Sequence, residues 1–545
     1  MSERIRVVAA VVRDPNLRRV EIAFLGYNMT EYATWIAILV YAYSRGGATA
    51  AGLAALVQLI PSGIVAPFAA FAGDRFRRDR VLLAGYAIQA VSLAAAAVAL
   101  ALHLSLIVTL GVATVAAVSL TFTRPAQASL LPGITRSAED LTAANAVTGL
   151  AESAGIFLGP FVAGLLLNRF GPASVYAVFA VVSAFGALLV ARLSVEQVAA
   201  PPAERISAGD VVRETLVGFR VLRRERTAGL LVLALSAVVV VVGALDVLFV
   251  ALAIDVLGKG EGWAGYLNSA FGLGGIVGAT LSVALVGRRR LMPPLVQGSA
   301  MFGVPIGVVG VAPSVLAAPV LFAATGAGRS VASVAGNTLL QRTTPDDVLS
   351  RVFGVYEGIA MFALAVGSVG ASSLVVVLGV RGALIVAGAF VPVTTLLLAR
   401  SLLAIDRSAK APDPEALAIL RRMPIFAPLS APAIERVMAN LVRLELPAGE
   451  VLIREGEKGD RFYVIVEGDV AVSQGGAHIA DRHGGDHLGE IALMRDVPRT
   501  ATVTALTDLR LLALAREPFL EAVTGYPQSR ERLEAVIEDR LGNEP

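Results

Sequence analysis

One short segment near the C-terminus carries residue types that suit the binding of an anion. Residues 487–503 read HLGEIALMRDVPRTATV. The stretch from Gly489 is predicted to begin a short helix, and free backbone N–H groups at a helix start can hold a phosphate. Arg499 adds a fixed positive charge with forked donors. The expected ligand contacts are Gly489, Glu490, Ile491, Ala492, Arg499, Thr500 and Ala501.

This segment resembles the phosphate-binding cassette of cyclic-nucleotide-binding domains, and the resemblance extends over about residues 415–541. It implies that Arg499 binds the cyclic phosphate, that Glu490 accepts a hydrogen bond from the ribose 2′-hydroxyl, and that Thr500 contacts phosphate or purine. The implied ligand is cAMP, with cGMP less expected. A β-roll that has lost its ligand is the alternative, but packing gives no obvious reason to keep both Glu490 and Arg499.

A second set of chemically capable residues lies within long apolar runs. Each charge at the middle of a bilayer costs roughly 2.5–3.5 kcal/mol on insertion scales. We therefore expect these side chains to face a cavity or to pair with one another. They are Glu31, Arg124, Glu152, Asp246, Arg329 and Glu357.

Glu31 and Arg124 are the pair that we expect to be functional. A carboxylate beside an arginine can alternate between an ion pair and a protonated form, which would couple proton movement to substrate release. A permanent ion pair without a transport role is the alternative, and Arg124 could instead be a charge at the cytoplasmic helix end. Asp246 and Glu357 are further candidates for coupling, and Asn28 for the cavity wall.

The elements that must position these residues are membrane helices. The chain of 545 residues is 56% hydrophobic and 16% charged, with a mean hydropathy of +0.72. Runs of about 20 apolar residues are long enough to cross a bilayer. Twelve spans are predicted, at about 20–43, 48–72, 81–102, 105–128, 141–168, 172–194, 228–256, 263–286, 291–312, 314–336, 348–378 and 380–403.

The loops between the spans differ in charge. Arginine is concentrated in one alternating set, which includes DRFRRDR (74–80) and GRRR (287–290). By the positive-inside rule these loops, both termini and the segment after 404 are cytoplasmic. The sequence thus predicts a multi-pass protein of the inner (plasma) membrane.

A polar stretch divides the predicted spans into two groups of six. LLPGITRSAEDL (130–141) is echoed by LLQRTTPDDVL (339–349), which indicates parallel repeats. The predicted organisation is a six-helix half (1–194), a cytoplasmic linker (195–227), a second six-helix half (228–404), a linker (405–414) and an α+β β-roll domain (415–545).

Two motifs in the first half resemble those of the major facilitator superfamily. GDRFRRDRVLL (73–83) resembles its cytoplasmic loop motif, which implies that Asp74 and Arg75, with Arg78 and Arg80, stabilise one conformation across the bundle. GIFLGPFVAG (155–164) resembles the motif of its exporters and antiporters, in which small residues allow close helix contact and proline bends the helix. The corresponding residues are Gly155, Gly159 and Pro160.

Composition argues against several other classes. The chain has no cysteine and four histidines, so thiolate chemistry is excluded and a metal centre is not expected. A net charge of +3 does not predict binding to nucleic acid. No arrangement of nucleophile and base indicates an enzyme.

The sequence therefore predicts a proton-coupled exporter of a small amphipathic organic molecule, regulated by cAMP. A transport-inactive membrane receptor for the nucleotide is the main alternative, and export of the nucleotide itself is another. Both monomer and homodimer are compatible with the sequence.

Overall fold

The computed structural model describes residues 14–75, 77–135, 138–193, 226–285, 290–344, 346–408, 414–427, 440–524 and 527–542, with positions 222, 288, 429, 434, 437 and 438. In some stretches, among them 66–75, only the backbone is described. These residues form a helical unit, which contains most of 14–408, and a C-terminal unit. Most of the predicted linkers 195–227 and 405–414 lies outside the described residues.

Long apolar runs form helices because a helix satisfies all of its backbone hydrogen bonds internally. The helical unit is built from eleven described helices. They are α1 (Pro15–Arg75), α2 (Arg78–Ala101), α3 (Leu106–Leu120), α4 (Thr123–Ile134), α5 (Ala138–Phe170), α6 (Pro172–Ala191), α7 (Arg226–Ala251), α8 (Gly262–Ser282), α9 (Met292–Val311), α10 (Ala317–Thr343) and α11 (Asp346–Ser408). A π-helical turn, Leu252–Val256, continues α7.

Two of these helices contain a sharp break at glycine. In α1 the backbone leaves helical geometry at Gly46 and Gly47, and in α11 at Gly379. Gly47 and Gly379 have φ values of 61° and 71°, a region that glycine adopts without steric cost. Both breaks fall at or next to predicted loops, so each long helix consists of two helical segments joined with almost no connection.

By length and apolarity, eight of the described helices can cross a membrane, and the two broken ones are among them. The predicted spans near 263–286 and 314–336 are helical in the structure as α8 and α10, although they are not among the eight. The count of twelve spans therefore stays a prediction. The span expected at 105–128 is interrupted at residues 121–122, where α3 ends and α4 begins.

The apolar core of the helical unit has three parts. The largest cluster combines both halves, for example Tyr43 and Phe179 of the first with Phe249 and Phe322 of the second. A second cluster contains first-half residues only, from Leu17 to Val190. A third contains second-half residues only, from Ala228 to Val352. The halves thus share a core at the end of the bundle that carries the glycine breaks.

The C-terminal unit is a pair of four-stranded antiparallel sheets with helices at one side. The strands are β1 (Leu441–Leu446), β2 (Val451–Ile453), β3 (Arg461–Glu467), β4 (Val470–Gln474), β5 (Ala477–Arg482), β6 (His487–Leu488), β7 (Thr502–Ala505) and β8 (Leu509–Ala515). The strand orders are β1-β8-β3-β6 and β2-β7-β4-β5. Helix α13 (Glu490–Arg495) lies between β6 and β7, and α12 (Pro414–Arg422), α14 (Arg516–Thr524) and α15 (Pro527–Gly542) flank the sheets.

Two cores hold this unit together. One lies between the sheets and includes Ile465, Leu488 and Leu511. The other joins the helices to β3 and includes Phe426, Phe462 and Phe519, whose rings are in contact. Apolar side chains alternate along β3 and β8, so each strand contributes to both cores.

Candidate functional site

In the helical unit, the structure brings four of the singled-out residues together around Arg124. Its Nη2 donates to Glu31 Oε2 at 3.0 Å and to Asn28 Oδ1 at 3.2 Å, and its Nη1 donates to Glu152 Oε1 at 2.6 Å. The guanidinium also lies 5.8 Å from the centre of the Tyr27 ring. Arg124 is therefore held by two carboxylates from two different helices.

Close helix packing positions this cluster. A side chain at Gly155 would place its Cβ 2.3 Å from the Cβ of Asn28, and one at Gly159 would lie 2.7 Å from the carbonyl of Met29. Only glycine therefore lets α5 approach α1 at this depth. This approach brings Asn28 of α1 and Glu152 of α5 to the same guanidinium.

The cluster is accessible and has one excess negative charge. The side chains of Arg124, Glu31 and Glu152 are 39%, 35% and 41% exposed. With one cation and two carboxylates, the formal charge is −1 when both acids are ionised, and one proton would neutralise it.

Asp246 and Glu357 are not among the residues that contact Arg124. Asp246 on α7 interacts with the side chain of Trp35 on α1, so it links the two halves. Glu357 on α11 is exposed. The structure thus separates the candidate coupling residues into one compact cluster and two outlying acids.

Contacts between the halves concentrate near the glycine breaks. The hydroxyl of Tyr43 on α1 donates a hydrogen bond to Asp255, in the turn that continues α7. The exporter-like motif also contributes, because a Cβ at Gly265 of α8 would lie 2.4 Å from the carbonyl of Pro160 and 2.7 Å from the nitrogen of Gly164. The Tyr43–Asp255 pair, 212 residues apart, was not identified from the sequence because neither residue lies in a recognisable motif.

In the loop motif after the second predicted span, Arg78 donates to the backbone oxygen of Ser129 at 2.8 Å, which ties the start of α2 to α4. Arg80 is exposed. Asp79, which the motif did not single out, pairs with Arg77 at 2.8 Å. The side chains of Asp74 and Arg75 lie outside those that the structure describes, so their role stays a prediction.

In the C-terminal unit, Arg499 is the centre of the candidate ligand site. It is only 6% exposed. Its Nη1 donates to the carbonyl of Gly489 at 3.1 Å, and its Nη2 donates to the carbonyl of Arg461 at 2.7 Å. The nearest carboxylate, Asp460, lies 3.4 Å away with a side chain that is 69% exposed. The guanidinium is therefore held mainly by neutral backbone oxygens.

Gly489 places Arg499 and the following helix. Its φ of 89° is left-handed, and a Cβ there would lie 2.3 Å from Arg499 Nη1 and 2.9 Å from the carbonyl of Arg461. The residue that follows it, Glu490, begins α13 and is 1% exposed, and Ala492 is 2% exposed. The other expected contacts, Ile491, Thr500 and Ala501, are half-buried.

Sequence reasoning missed part of this site. Tyr463 on β3 lies beneath Arg499, with 5.9 Å between the guanidinium carbon and the ring centre. Burial, together with the charge of Asp460, raises the pKa of Tyr463, so its phenol stays neutral and its ring can support the cation. The polar turn GDRF (459–462), between two apolar segments, could have indicated that Asp460 and Arg461 belong to the site.

Comparisons with known proteins divide the chain in the same way. The family model described as Major Facilitator Superfamily matches residues 21–318. The model described as Cyclic nucleotide-binding domain matches residues 443–526. The second match contains every residue of the Arg499 site, and the first contains the whole Arg124 cluster.

Individual relatives match the C-terminal part. A cyclic nucleotide-gated potassium channel of Rhizobium etli is 33% identical over 127 residues, which are 23% of this chain and 36% of the channel. A cAMP-dependent protein kinase regulatory subunit of Dictyostelium discoideum is 46% identical over 79 residues, which are 13% of this chain and 24% of that protein.

Among solved structures, the regulatory domain of Toxoplasma gondii PKA with cAMP is similar, at 27% identity and a TM-score of 0.21, over 23% of this chain and 49% of that one. The chain spans well under half the length of the curated relatives named above. They are informative about the nucleotide-binding segment and not about a whole protein.

Proposed function

This chain belongs to the major facilitator superfamily and carries a C-terminal cyclic nucleotide-binding domain, and on that premise we propose that it is a proton-coupled exporter regulated by a cyclic nucleotide. We propose cAMP as the nucleotide and a small amphipathic organic molecule as the cargo. The protein would reside in the plasma membrane with both termini and the nucleotide domain in the cytoplasm.

The observation that carries proton coupling is the arrangement of Glu31, Glu152 and Arg124. Three charges with an excess of one carboxylate lie at an accessible position within the membrane bundle. A proton that binds one carboxylate frees part of the Arg124 fork, and loss of the proton restores the ion pair. Protonation can therefore alter how α1, α4 and α5 are held to one another.

Alternating access is supported by the distribution of the apolar cores. The halves share one cluster near the glycine breaks, and each has its own cluster at the opposite end. In the predicted topology, the cluster that both halves share closes the cavity at its exterior end. At the cytoplasmic end each half packs only within itself, so the cavity is open to the cytoplasm. An exporter loads its cargo in such a state.

Regulation by nucleotide is supported by the Arg499 site. A cyclic phosphate is a charged acceptor, and charge-assisted hydrogen bonds are roughly twice as strong as neutral ones. The phosphate would therefore draw the Arg499 donors from the carbonyls of Gly489 and Arg461, and this would move the turn that begins α13. Binding can shift the transporter only as far as it prefers one conformation over another.

A distance measurement on the full-length chain tests coupling and regulation without knowledge of the cargo. The chain has no cysteine, so Arg45→Cys and Lys259→Cys place two spin labels at exposed positions that flank the Tyr43–Asp255 contact. Pulsed electron spin resonance in nanodiscs would then report opening of the predicted exterior. We expect acidic pH and cAMP each to change the distance distribution.

Two matched variants separate the effects. Glu31→Gln should abolish the response to pH and keep the response to cAMP, whereas Arg499→Ala should do the opposite. A distribution that is unchanged by pH in the unsubstituted protein would contradict proton coupling. A distribution unchanged by both conditions would favour the transport-inactive receptor.

A further inference from the structure

A second arginine within the bundle, Arg329, has surroundings unlike those of Arg124. It lies near the middle of α10, and its side chain is exposed. The ring of Phe271 on α8 lies 5.8 Å from its guanidinium carbon. It also interacts electrostatically with Tyr32 on α1, Asp246 on α7 and Tyr356 on α11. Because these neighbours come from both halves, Arg329 faces the space between the halves.

The charge of Arg329 is less closely compensated by carboxylates than that of Arg124. Among the described residues, none of the carboxylates forms an ion pair with Arg329, whereas Arg124 has two such partners. The acid that interacts electrostatically with Arg329, Asp246, also interacts with the side chain of Trp35. A cation at this depth is costly unless water or an anion solvates it.

The packing of α8 against α10 fixes where this cation lies. A Cβ at Gly274 would lie 1.8 Å from the carbonyl of Ala323, and one at Gly326 would lie 1.9 Å from the carbonyl of Phe271. Ser330, the neighbour of Arg329, donates to the carbonyl of Gly275 at 2.8 Å. The two helices are thus in backbone contact around Arg329, and this packing fixes the backbone position from which its side chain extends.

We propose that Arg329 binds the anionic head group of the transported molecule. This inference rests on the proposed transport function and narrows its cargo to amphipathic molecules with a singly charged anion such as a carboxylate. One arginine without an ion-pair partner among the described residues matches one negative charge, and its planar fork suits a carboxylate. Phe271 supplies an apolar surface beside the head group, and the apolar body of the cargo would lie along the cavity wall.

Binding of a matched pair of probes tests this assignment. The probes are 11-(dansylamino)undecanoic acid and its methyl ester, which share an apolar body and differ in the charge of the head. Their dissociation constants for the purified full-length protein follow from dansyl fluorescence. We expect Arg329→Gln to weaken binding of the acid by about ten- to a hundredfold, the usual worth of a hydrogen bond to a charged group, and to leave the ester unchanged.

Arg329→Lys keeps the charge without the fork and should give an intermediate loss. Unchanged melting temperatures would show that the variants fold, since the side chain is exposed. Equal binding of the acid to the unsubstituted protein and to Arg329→Gln, including absence of binding to both, would overturn the proposal.

A second measurement does not depend on the choice of probe. Ser333→Cys puts the chain's single thiol one helical turn from Arg329 on the same face of α10. We expect Arg329→Gln to lower the ratio of modification rates by anionic and cationic methanethiosulfonates by roughly fivefold. An unchanged ratio would show that Arg329 does not set the local potential, and the anion site would be rejected.

Neither measurement needs a proton gradient or a change of conformation. Their failure would remove the anion site and leave the transporter proposal intact. If neither acidic pH nor cAMP changes the distance between positions 45 and 259, the transporter proposal is contradicted. The preference of Arg329 for an anion can still be measured in that case.

Discussion

Arg124 in the helical unit and Arg499 in the C-terminal unit are both held by protein oxygen atoms, but those oxygens differ in charge. Arg124 is bound by the carboxylates of Glu31 and Glu152. Arg499 is bound mainly by the carbonyls of Gly489 and Arg461. A proton can weaken the first arrangement, because it removes charge from a partner. The backbone carbonyls that hold Arg499 carry no titratable charge, and a charged acceptor has to displace them.

The difference suits the two proposed roles. A proton-coupling site must respond to a change in protonation even when no other ligand changes. A nucleotide sensor must respond to its ligand even when the pH is constant. The positions of both arginines depend on a glycine, Gly155 through helix packing and Gly489 through a left-handed turn. Substitutions at these four residues can therefore break the comparison on either side.

The largest effect is expected for Arg499→Ala. It removes the fixed charge and the fork that would bind the cyclic phosphate, and hydrogen bonds to charged groups are worth about 1.5–3 kcal/mol each. We expect cAMP affinity of the full-length protein to fall by about a hundredfold or more in calorimetric titration. Arg124→Ala is the matched control and should leave that affinity unchanged. Undiminished cAMP binding by the Arg499 variant would place the ligand elsewhere.

Gly489→Ala should weaken cAMP binding by about tenfold. The substitution forces a side chain into a left-handed conformation, which costs about 1–3 kcal/mol, and pushes directly on the Arg499 guanidinium. Gly485→Ala is a control for the backbone strain alone, because Gly485 has a φ of 100° but no atoms within 4 Å of the position that a Cβ would take. The difference between the two variants therefore measures the displacement of Arg499. If both variants lose equal affinity, displacement of Arg499 is not the cause.

Gly155→Ala tests the helical side of the comparison. Its Cβ would overlap Asn28, so α1 and α5 must separate, and overpacking of this kind costs about 1–3 kcal/mol. We expect a lower melting temperature in detergent and a loss of the pH response between positions 45 and 259. Gly149→Ala on the same helix has no neighbour within 4 Å and should retain both. Equal behaviour of the two variants would show that this close contact does not position the cluster.

The smallest effect is expected at an exposed pair that belongs to neither arginine. His483 Nδ1 lies 2.7 Å from Asp469 Oδ1, and this hydrogen bond raises the pKa of His483. The resulting stability is present below about pH 6.5, the unfolded value, and disappears as the pH rises through the folded pKa. Asp469→Asn should lower the melting temperature slightly at pH 6 and not at pH 9. A difference that persists at pH 9 would contradict an ionic origin.

Local patterns predicted most of the elements. The predicted boundary between the spans at 20–43 and 48–72 is found as the helix break at Gly46 and Gly47. The short helix predicted to begin at Gly489 is found as α13, and Gly489 itself has a positive φ. These agreements arise because apolar runs, alternation and glycine act within a few residues of the backbone.

Contacts between side chains that are far apart in the sequence were harder to predict. The sequence predicted that Glu31 and Arg124 pair, and the structure adds Glu152 as an equal partner. It also joins Asp246 to Trp35 rather than to Arg124. Which charges meet depends on how each helix is rotated, and that rotation is set by contacts such as Gly155 with Asn28 that no single run of sequence encodes.

The sequence by itself determined that this chain is a helical membrane bundle followed by a β-roll with a cassette around Glu490 and Arg499, since hydrophobicity, turn glycines and motif residues are properties of adjacent positions. Only the tertiary structure decided that Arg124 pairs with two acids while Arg329 forms an ion pair with none of the described carboxylates, and that Tyr43 meets Asp255 across the halves. Charge balance depends on neighbours brought together by packing, and helix packing is determined by surfaces that are complete only when the chain has folded.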